Sequence, residues 1–380
     1  MGVRDGAVLL HSTVGCNFGT MGLHFTACDM SDVRQTCTVI SDSDVVFGGE
    51  KSLRLALENV RELYAPRVIF VVTGCVSDMI QDDASSVAAD FRAETGQEVV
   101  TLEAAGYRGS LEEGYEAALE ALAPYIEETE KAKKPTVNLL GPGADDFRLR
   151  CDIAAIRELL GEQAEVHTVF GSQTWEELRS CSRAGLNLVL GRGLGLAKRM
   201  EERFGIPFEV LDFPYGLTGA KQLWRALEKH FSVDYSAAEA EFRRFTGEEG
   251  ARVYSWLQAL YGLPAAVLGT GSRARGMAEF LSSELGMLVE AVGIREEYRD
   301  SDLIYDKVRA SEAAVIFGSS YEQALAEELG IPLLPFDFPV FDRVTLSDRP
   351  YAGPRGSLCL AEDLLNEIIH ARKAKGALYR

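Results

Sequence analysis

The chain has 380 residues, of which 47% are hydrophobic and 26% are charged, a composition typical of a globular protein with two or three domains. The formal net charge of −19 argues against nucleic-acid binding, which needs clustered Lys and Arg. No apolar run is long enough to span a membrane and the N-terminal segment does not resemble a signal peptide. We therefore expect a cytoplasmic protein.

Short apolar runs alternate with longer amphipathic stretches along the chain. Strands are predicted at residues 7–13, 67–73, 98–102, 135–140, 165–170, 186–190, 207–211, 265–268, 287–293, 313–317 and 331–335. Helices are predicted at residues 51–64, 83–95, 111–131, 146–160, 174–182, 193–204, 219–231, 236–262, 274–285, 302–310, 320–329 and 358–375. The strands are continuous runs of Val, Ile, Leu and Phe, as in parallel sheets that are buried on both faces, and their alternation with helices indicates an α/β protein.

Composition suggests two domain boundaries. The charged stretch EETEKAKKP closes on Pro135 before a new strand, and the stretch EKHFSVDYSAAEAEFRRF leads into a long helix before YGLPAAVLG opens another α/β unit. We therefore predict three Rossmann-like domains with mostly parallel sheets flanked by helices, at residues 1–134, 135–235 and 236–380, the last including a C-terminal helix.

Two segments are similar to nucleotide-binding loops. VLGTGSRARG places Gly269, Gly271 and Gly276 after a strand, but Glu290, the nearest acidic residue for a ribose, lies inside a strand, so a tight turn is the favoured interpretation. VVFGGEKSL lacks the spacing of a phosphate loop, and Glu50 would repel a phosphate. We therefore expect no ATP site in this chain.

The cysteine pattern excludes the common local metal motifs. The seven cysteines are Cys16, Cys28, Cys37, Cys75, Cys151, Cys181 and Cys359. Their number is odd and nothing marks the chain for secretion, so disulfides are not expected. No CxxC occurs, so a metal site would have to be assembled from loops that are distant in sequence.

Two Gly-Cys pairs each follow an apolar strand. Gly15 and Cys16 lie in a predicted glycine-rich loop after AVLL, and Gly74 and Cys75 follow RVIFVVT. Ligands gather at the carboxyl ends of parallel strands, so both thiols are expected at one edge of one sheet. One pair alone would be interpreted as ordinary half-buried residues, whereas two in equivalent positions favour metal ligands. Two thiolates cannot close a site that usually takes four, so a symmetric partner would supply the others.

Several further segments are weak signals of a protein family individually, but their combination is specific. They are GCNFGT, SDSDVVFGGEKSLRLALENV, TGCVSDMIQDD with its acidic pair Asp82-Asp83, AAGYRGSLEEGY, VNLLG, LNLVLGRGLGLAKRMEERFGIPF and FGSSYEQALAEELGIPLLPFDFPVFDRVTLSDRPYAGPRGSLCLAEDLL. With them the chain resembles, nearly end to end, the component 1 proteins of the nitrogenase superfamily. That group includes the nitrogenase catalytic subunits, their cofactor-assembly scaffolds, the dark protochlorophyllide and chlorophyllide reductases and the Ni-sirohydrochlorin diamide reductase.

The chain also departs from the nitrogenase pattern. The family usually has a further cluster cysteine upstream of the first loop, and this chain begins too late to hold it. The place of the thiolate that holds the iron–molybdenum cofactor falls near Gly191, where no cysteine occurs. The histidines that nitrogenase carries near Tyr115 are absent as well. The resemblance therefore implies a simpler member with two cluster thiols, and it makes nitrogen reduction doubtful.

The resemblance implies a cofactor and partners. The cofactor would be an iron–sulfur cluster of the 4Fe–4S type, shared across a subunit interface and held by Cys16 and Cys75 beside Gly15 and Gly74. Electrons would come from an ATP-hydrolysing iron protein, so ATP would be bound by that partner and not by this chain. The other partners would be a second component 1 subunit, identical or different, and a small-molecule substrate, with no nucleic acid and no membrane.

Four side chains are candidates for contact with a substrate. His24 follows Cys16 at a position where the family places a cavity-lining residue, and its imidazole would donate protons near neutral pH; a purely structural histidine is the alternative. Arg108 would bind a substrate carboxylate or cap its own loop, and the loop role is slightly favoured. Tyr115 and Glu116 match the start of the helix that carries active-site histidines in nitrogenase.

Two classes of function stay open. The first is an ATP-dependent reductase subunit that acts on an unsaturated substrate such as a tetrapyrrole. The second is a non-catalytic scaffold that holds a metallocluster during assembly. A third and weaker interpretation, a dinucleotide-binding protein, depends on GTGSRARG alone.

Overall fold

The computed structural model describes residues 2–27, 34–298 and 300–374. It contains two compact units, one formed by Met1–Ala144 with Val166–Phe208 and the other by Asp145–Glu165 with Glu209–Arg380. Within the described residues the strands form three four-stranded sheets, and helices flank them, which confirms the predicted α/β class. Cys28 and position 375, the end of the predicted C-terminal helix, lie outside the described residues.

The first sheet belongs to the first unit and has the strand order β2-β1-β3-β4, with all neighbours parallel. Its strands are β1 (Gly6–His11), β2 (Gln35–Cys37), β3 (Val68–Thr73) and β4 (Glu98–Glu103). The helices in this part of the chain are α1 (Val14–Ala27), α2 (Asp42–Phe47), α3 (Glu50–Tyr64), α4 (Cys75–Met79), α5 (Ala84–Thr95) and α6 (Leu111–Leu122). Leu9, Ile69 and Val71 are fully buried, as the continuous apolar runs predicted for a sheet covered on both faces.

The second sheet has the order β6-β5-β7-β8. Its strands are β5 (Thr136–Leu140), β6 (Glu165–Val169), β7 (Leu186–Val189) and β8 (Phe208–Val210). Helices α8 (Trp175–Arg179) and α9 (Leu194–Phe204) follow β6 and β7 along the chain, whereas α7 (Leu149–Leu160) and α10 (Gly216–His230) belong to the second unit. Leu140 and Val189 share one apolar core with Val68 and Phe70 of the first sheet.

The third sheet lies in the second unit and has the order β10-β9-β11-β12, again with parallel neighbours. Its strands are β9 (Pro264–Gly269), β10 (Leu288–Ile294), β11 (Val315–Gly318) and β12 (Leu333–Pro335). The helices are α11 (Ser236–Ala251), α12 (Tyr254–Leu257), α13 (Gly271–Ser283), α14 (Ser301–Arg309), α15 (Gln323–Leu329) and α16 (Gly353–Ala374). No helix among the described residues is long and apolar enough to cross a membrane.

The structure differs from the predicted elements at several places, and the short helices α2 and α4 were not predicted. Residues 14–27 form helix α1, although their glycines predicted a loop, and β2 was not predicted because it has only three residues. The helix predicted at 111–131 ends at Leu122, where a 3₁₀ turn containing Pro124 follows; proline lacks the N–H that a helix interior needs. The helix predicted at 236–262 is broken between α11 and α12.

Candidate functional site: a cysteine edge in the first sheet

The two Gly-Cys pairs follow neighbouring strands that end in register. His11, the last residue of β1, pairs with Thr73, the last residue of β3. The two segments that follow are joined by hydrogen bonds, because the His11 carbonyl accepts from the Gly74 N–H at 3.0 Å and from Ser77 Oγ at 2.7 Å. Cys16 and Cys75 therefore follow the same edge of one sheet, here called the cysteine edge.

Both thiols accept a hydrogen bond from the surrounding chain. Cys16 lies in the first turn of α1 and not in a loop, and it is exposed. Thr13 Oγ1 donates a hydrogen bond to Cys16 Sγ at 3.5 Å, and this contact, followed by Ser12, lowers the pKa of the Cys16 thiol. Cys75 begins α4 and is half-buried, and its Sγ accepts the Gly106 N–H at 3.2 Å. Thiolates are the form that binds metals.

The glycines of the two pairs have different surroundings. A Cβ on Gly74 would lie only 2.3 Å from Ser12 Oγ, so no larger residue fits between the two segments. A Cβ on Gly15 would meet nothing within 4 Å. Gly74 is thus required by packing inside the chain, whereas Gly15 leaves open space beside Cys16.

A third cysteine lies at the same edge and was not recognised in the sequence. Cys37 is the last residue of β2, the strand beside β1. Its Sγ donates to the Ser12 carbonyl at 3.1 Å and to the Thr13 carbonyl at 3.5 Å. Burial, with a smaller contribution from the nearby Cys16, raises the pKa of the Cys37 thiol. The only signal in the sequence was the position of Cys37, four residues before the segment SDSDVVFGG.

A buried histidine–carboxylate pair links the chain segments next to the cysteine edge. His11 Nε2 lies 3.0 Å from Asp82 Oδ2, and His11 Nδ1 lies 3.1 Å from Thr38 Oγ1. Asp82 also accepts the Gly49 N–H at 2.9 and 3.1 Å. Burial lowers the pKa of His11 more than Asp82 raises it. This network joins the ends of β1 and β2 to the start of α3 and to the segment after α4.

His24 lies in the last turn of α1 and is half-buried. Burial lowers the pKa of its imidazole to about 4. At pH 7 the ring is therefore neutral, and this environment disfavours the charged acid that we expected from the sequence. A role for His24 in proton transfer stays a prediction.

Arg108 is engaged with carboxylates on both sides of its loop. Its Nη2 lies 2.5 Å from Asp78 Oδ1 in α4, and its Nη1 lies 2.8 Å from Glu103 Oε2 at the end of β4. Tyr107 also donates to Asp78. These contacts fit the loop role, and binding of a substrate carboxylate would have to replace at least one of them.

Tyr115 and Glu116 hold the turn that precedes α9. The Tyr115 hydroxyl donates to the Pro142 carbonyl at 3.0 Å, and the Arg192 guanidinium lies 4.8 Å from the centre of the Tyr115 ring. The Glu116 carboxylate accepts the N–H of Gly193. Both side chains thus contact the turn that includes Gly191, away from the two Gly-Cys segments in sequence.

The segment GTGSRARG forms a tight turn whose donors are occupied. The N–H of Thr270 is bound by Asp337 at 2.5 Å, and the N–H of Gly271 is bound by Glu296 at 2.8 and 3.1 Å. Arg273 is buried and paired with Asp146 at 3.0 Å. Carboxylates at the start of α13 would repel a pyrophosphate, which argues against dinucleotide binding at this turn.

No ready-made site for a single metal ion exists among the described residues, since no three His, Cys, Asp or Glu side chains converge on one point there. A surface pocket of about 360 Å³ lies beside α9. None of the candidate residues lines that pocket.

Comparison with known proteins identifies the family. The model of the family described as nitrogenase component 1 type oxidoreductase matches residues 1–369. The chain belongs to this family. The resemblance inferred from the sequence motifs is thereby confirmed.

Relatives with different roles are about equally similar to this component 1 chain. The nitrogenase molybdenum–iron protein alpha chain of Methanosarcina barkeri is 29% identical over 78% of this chain and 58% of its own length. That of Methanothermobacter marburgensis is 26% identical over 97% and 84%. The cofactor biosynthesis protein NifE of Clostridium pasteurianum is 26% identical over 87% and 77%. The solved structure of nitrogenase Cp1 at pH 6.5 shares the fold, with a TM-score of 0.80, 20% identity and coverage of 98% of this chain and 91% of that one.

Proposed function

We propose that this chain is a component 1 subunit that holds an iron–sulfur cluster at the cysteine edge and passes electrons through it to an unsaturated small molecule such as a tetrapyrrole. The observation that carries the proposal is the pair of thiols, Cys16 and Cys75, after neighbouring strands whose ends pair in register. Family membership supports a redox role, and it leaves the substrate open.

The residues at the cysteine edge fit such a cluster. Cysteine thiolates are the usual protein ligands of iron–sulfur clusters, and the open space beside Gly15 admits a bulky group. The cluster, when bound, would supply single electrons. The N–H of Gly106 and the hydroxyl of Thr13 already donate to the two sulfurs, and donors of this kind tune the reduction potential of a cluster.

A second component 1 subunit is the proposed partner at this edge. Large apolar side chains in the chain segments that contain or follow the cysteines are exposed: Val14 and Phe18 in α1, Val39 after β2, Phe47 at the end of α2 and Met79 in α4. Phe18 is 78% and Phe47 87% exposed. Exposed apolar groups gathered in one region are typical of an interaction surface. Electrons would arrive from an ATP-hydrolysing iron protein, which would bind the nucleotide itself.

Removal of single thiols tests the proposal. Protein purified without oxygen is expected to contain iron and acid-labile sulfide, and Cys16→Ser or Cys75→Ser is expected to lose both. Cys359→Ser is the matched control, because Cys359 is also half-buried but lies in α16 of the second unit. Full iron content in the Cys16→Ser, Cys75→Ser double variant would refute the assignment.

A scaffold role is the second candidate, and it is favoured by the similarity to NifE, which equals that to one of the molybdenum–iron alpha chains. The two roles differ in turnover. A reductase subunit would oxidise its loaded cluster when substrate is added and be reduced again by the iron protein with ATP. A scaffold would instead lose its cluster to an acceptor apoprotein, so iron would move between the two proteins without product formation.

A further inference from the structure

We propose that Cys37 is a third thiolate ligand of the same cluster, so that one chain supplies ligands from three neighbouring strands. The inference rests on the proposed function, because it assumes that Cys16 and Cys75 hold a cluster.

The strand order brings Cys37 to the cysteine edge. β2, β1 and β3 are neighbours and parallel, and Cys37 pairs with Leu10, one residue before the end of β1. His11, the residue that ends β1, pairs with the residue that ends β3. Each of the three strands is therefore followed or ended by a cysteine at the same side of the sheet, which is where open parallel sheets bind their ligands.

Thr13 contacts two of the thiols at once. Its carbonyl oxygen lies 3.5 Å from Cys37 Sγ, and its hydroxyl donates to Cys16 Sγ at 3.5 Å. The Val39 N–H also donates to Cys37 Sγ, at 3.3 Å. Cys37 thus has the same kind of N–H···S contact that Cys75 receives from Gly106. Such donors stabilise a coordinated thiolate.

The buried side chain of Ser12 gives independent support for a bound cluster at the cysteine edge. Its side chain is fully buried, and its hydroxyl oxygen has no hydrogen-bond partner of normal geometry among the described residues. The hydroxyl packs against Gly74, on which a Cβ would lie only 2.3 Å from the Ser12 oxygen. Buried hydroxyls in native proteins normally have a partner, and a bound cluster beside Cys16 would provide acceptors.

The inference concerns a multi-iron cluster and not a single metal ion. The three cysteines do not form a ready-made site for one metal ion, as they would if all three thiolates bound a single zinc. Thiolates of a multi-iron cluster bind separate iron atoms, so they stand farther apart. Ligation by Cys37 would replace its S–H bond by an S–Fe bond and release one proton, with no change in oxidation state.

Substitution of Cys37 by serine and by alanine distinguishes a role as a cluster ligand from a purely structural role. Cys37→Ser keeps a donor for the Ser12 carbonyl, and Cys37→Ala removes it. If Cys37 is a ligand, both variants are expected to lose iron and sulfide, as Cys16→Ser does. A variant that keeps its iron is expected to show an altered electron paramagnetic resonance spectrum of the reduced cluster. Thermal unfolding of the iron-free chains shows whether each variant is folded.

The outcomes distinguish this inference from the proposed function. Iron loss in Cys16→Ser and Cys75→Ser, together with unchanged iron content and spectrum in both position-37 variants, would overturn the role of Cys37 alone. Iron loss in Cys28→Ser with no effect at position 37 would overturn it as well. Full iron content in the Cys16 and Cys75 variants would instead overturn the proposed function.

Discussion

At the scale of single residues, His24 shows how burial decides what a side chain does. Its imidazole has the position along the chain that suggested a proton donor, but burial lowers its pKa from 6.5 to about 4. The unfolded chain therefore binds the proton first as the pH falls. The stability contributed by neutral His24 is complete above about pH 6.5 and is lost as the pH falls towards 4.

His24→Gln is expected to weaken this pH dependence. Glutamine does not titrate, so the free energy of unfolding of the variant should fall less between pH 6.5 and 4 than that of the parent chain. Urea denaturation at several pH values measures the difference, and comparison with the parent cancels the contribution of His11, whose lowered pKa acts in the same direction. Parallel pH profiles would show that the His24 pKa is not lowered.

The cysteines illustrate what the sequence could reveal at this scale. Cys16 and Cys75 were predicted because each follows a glycine after a strongly apolar strand. Cys37 was missed because Gln35, Thr36 and Cys37 form a short strand without an apolar run. The pairing of that strand with β1 depends on the tertiary fold, which local periodicity does not report.

At the scale of elements, the candidate residues Tyr115 and Glu116 connect α6 with the turn before α9. Glu116→Ala removes the acceptor of the buried Gly193 N–H. An unpaired buried donor costs about 1–3 kcal/mol, so we expect a loss of stability of that size in chemical denaturation.

Two further variants serve as controls for this contact. Glu116→Gln keeps an acceptor oxygen and should lose less stability, and Glu62→Ala removes an exposed carboxylate of α3 and should change stability little. Equal stability of the two position-116 variants would show that the contact with Gly193 does not matter.

The elements themselves were largely predictable from local patterns. Buried parallel strands such as β3 have long apolar runs, and every predicted strand is found within a few residues of its expected position. Helix α1 was missed because Gly15, Gly19 and Gly22 reduce helix propensity. Its sequence is typical of a loop, although the segment is helical in the fold.

At the scale of the whole molecule, the cysteine edge is expected to connect cluster content with assembly. Three thiolates leave a four-ligand cluster one ligand short, and two leave it two short, so a partner subunit would complete it. Removal of iron by a chelator should therefore shift the protein towards the monomer in analytical ultracentrifugation. A cluster-loaded monomer would rule out the shared site, and the Cys359→Ser variant should behave as the parent chain does.

The hydrogen bonds that join the ends of β1 and β3 also bear on the order of events during maturation. The His11 carbonyl holds Gly74 and Ser77, and the His11 ring holds Asp82, so these segments are positioned by protein atoms alone. Small zinc domains, by contrast, fold only when their metal binds. If the proposed cluster is the chain's cofactor, we expect the iron-free chain to be already folded, so that iron shortage would leave a precursor that can be loaded later.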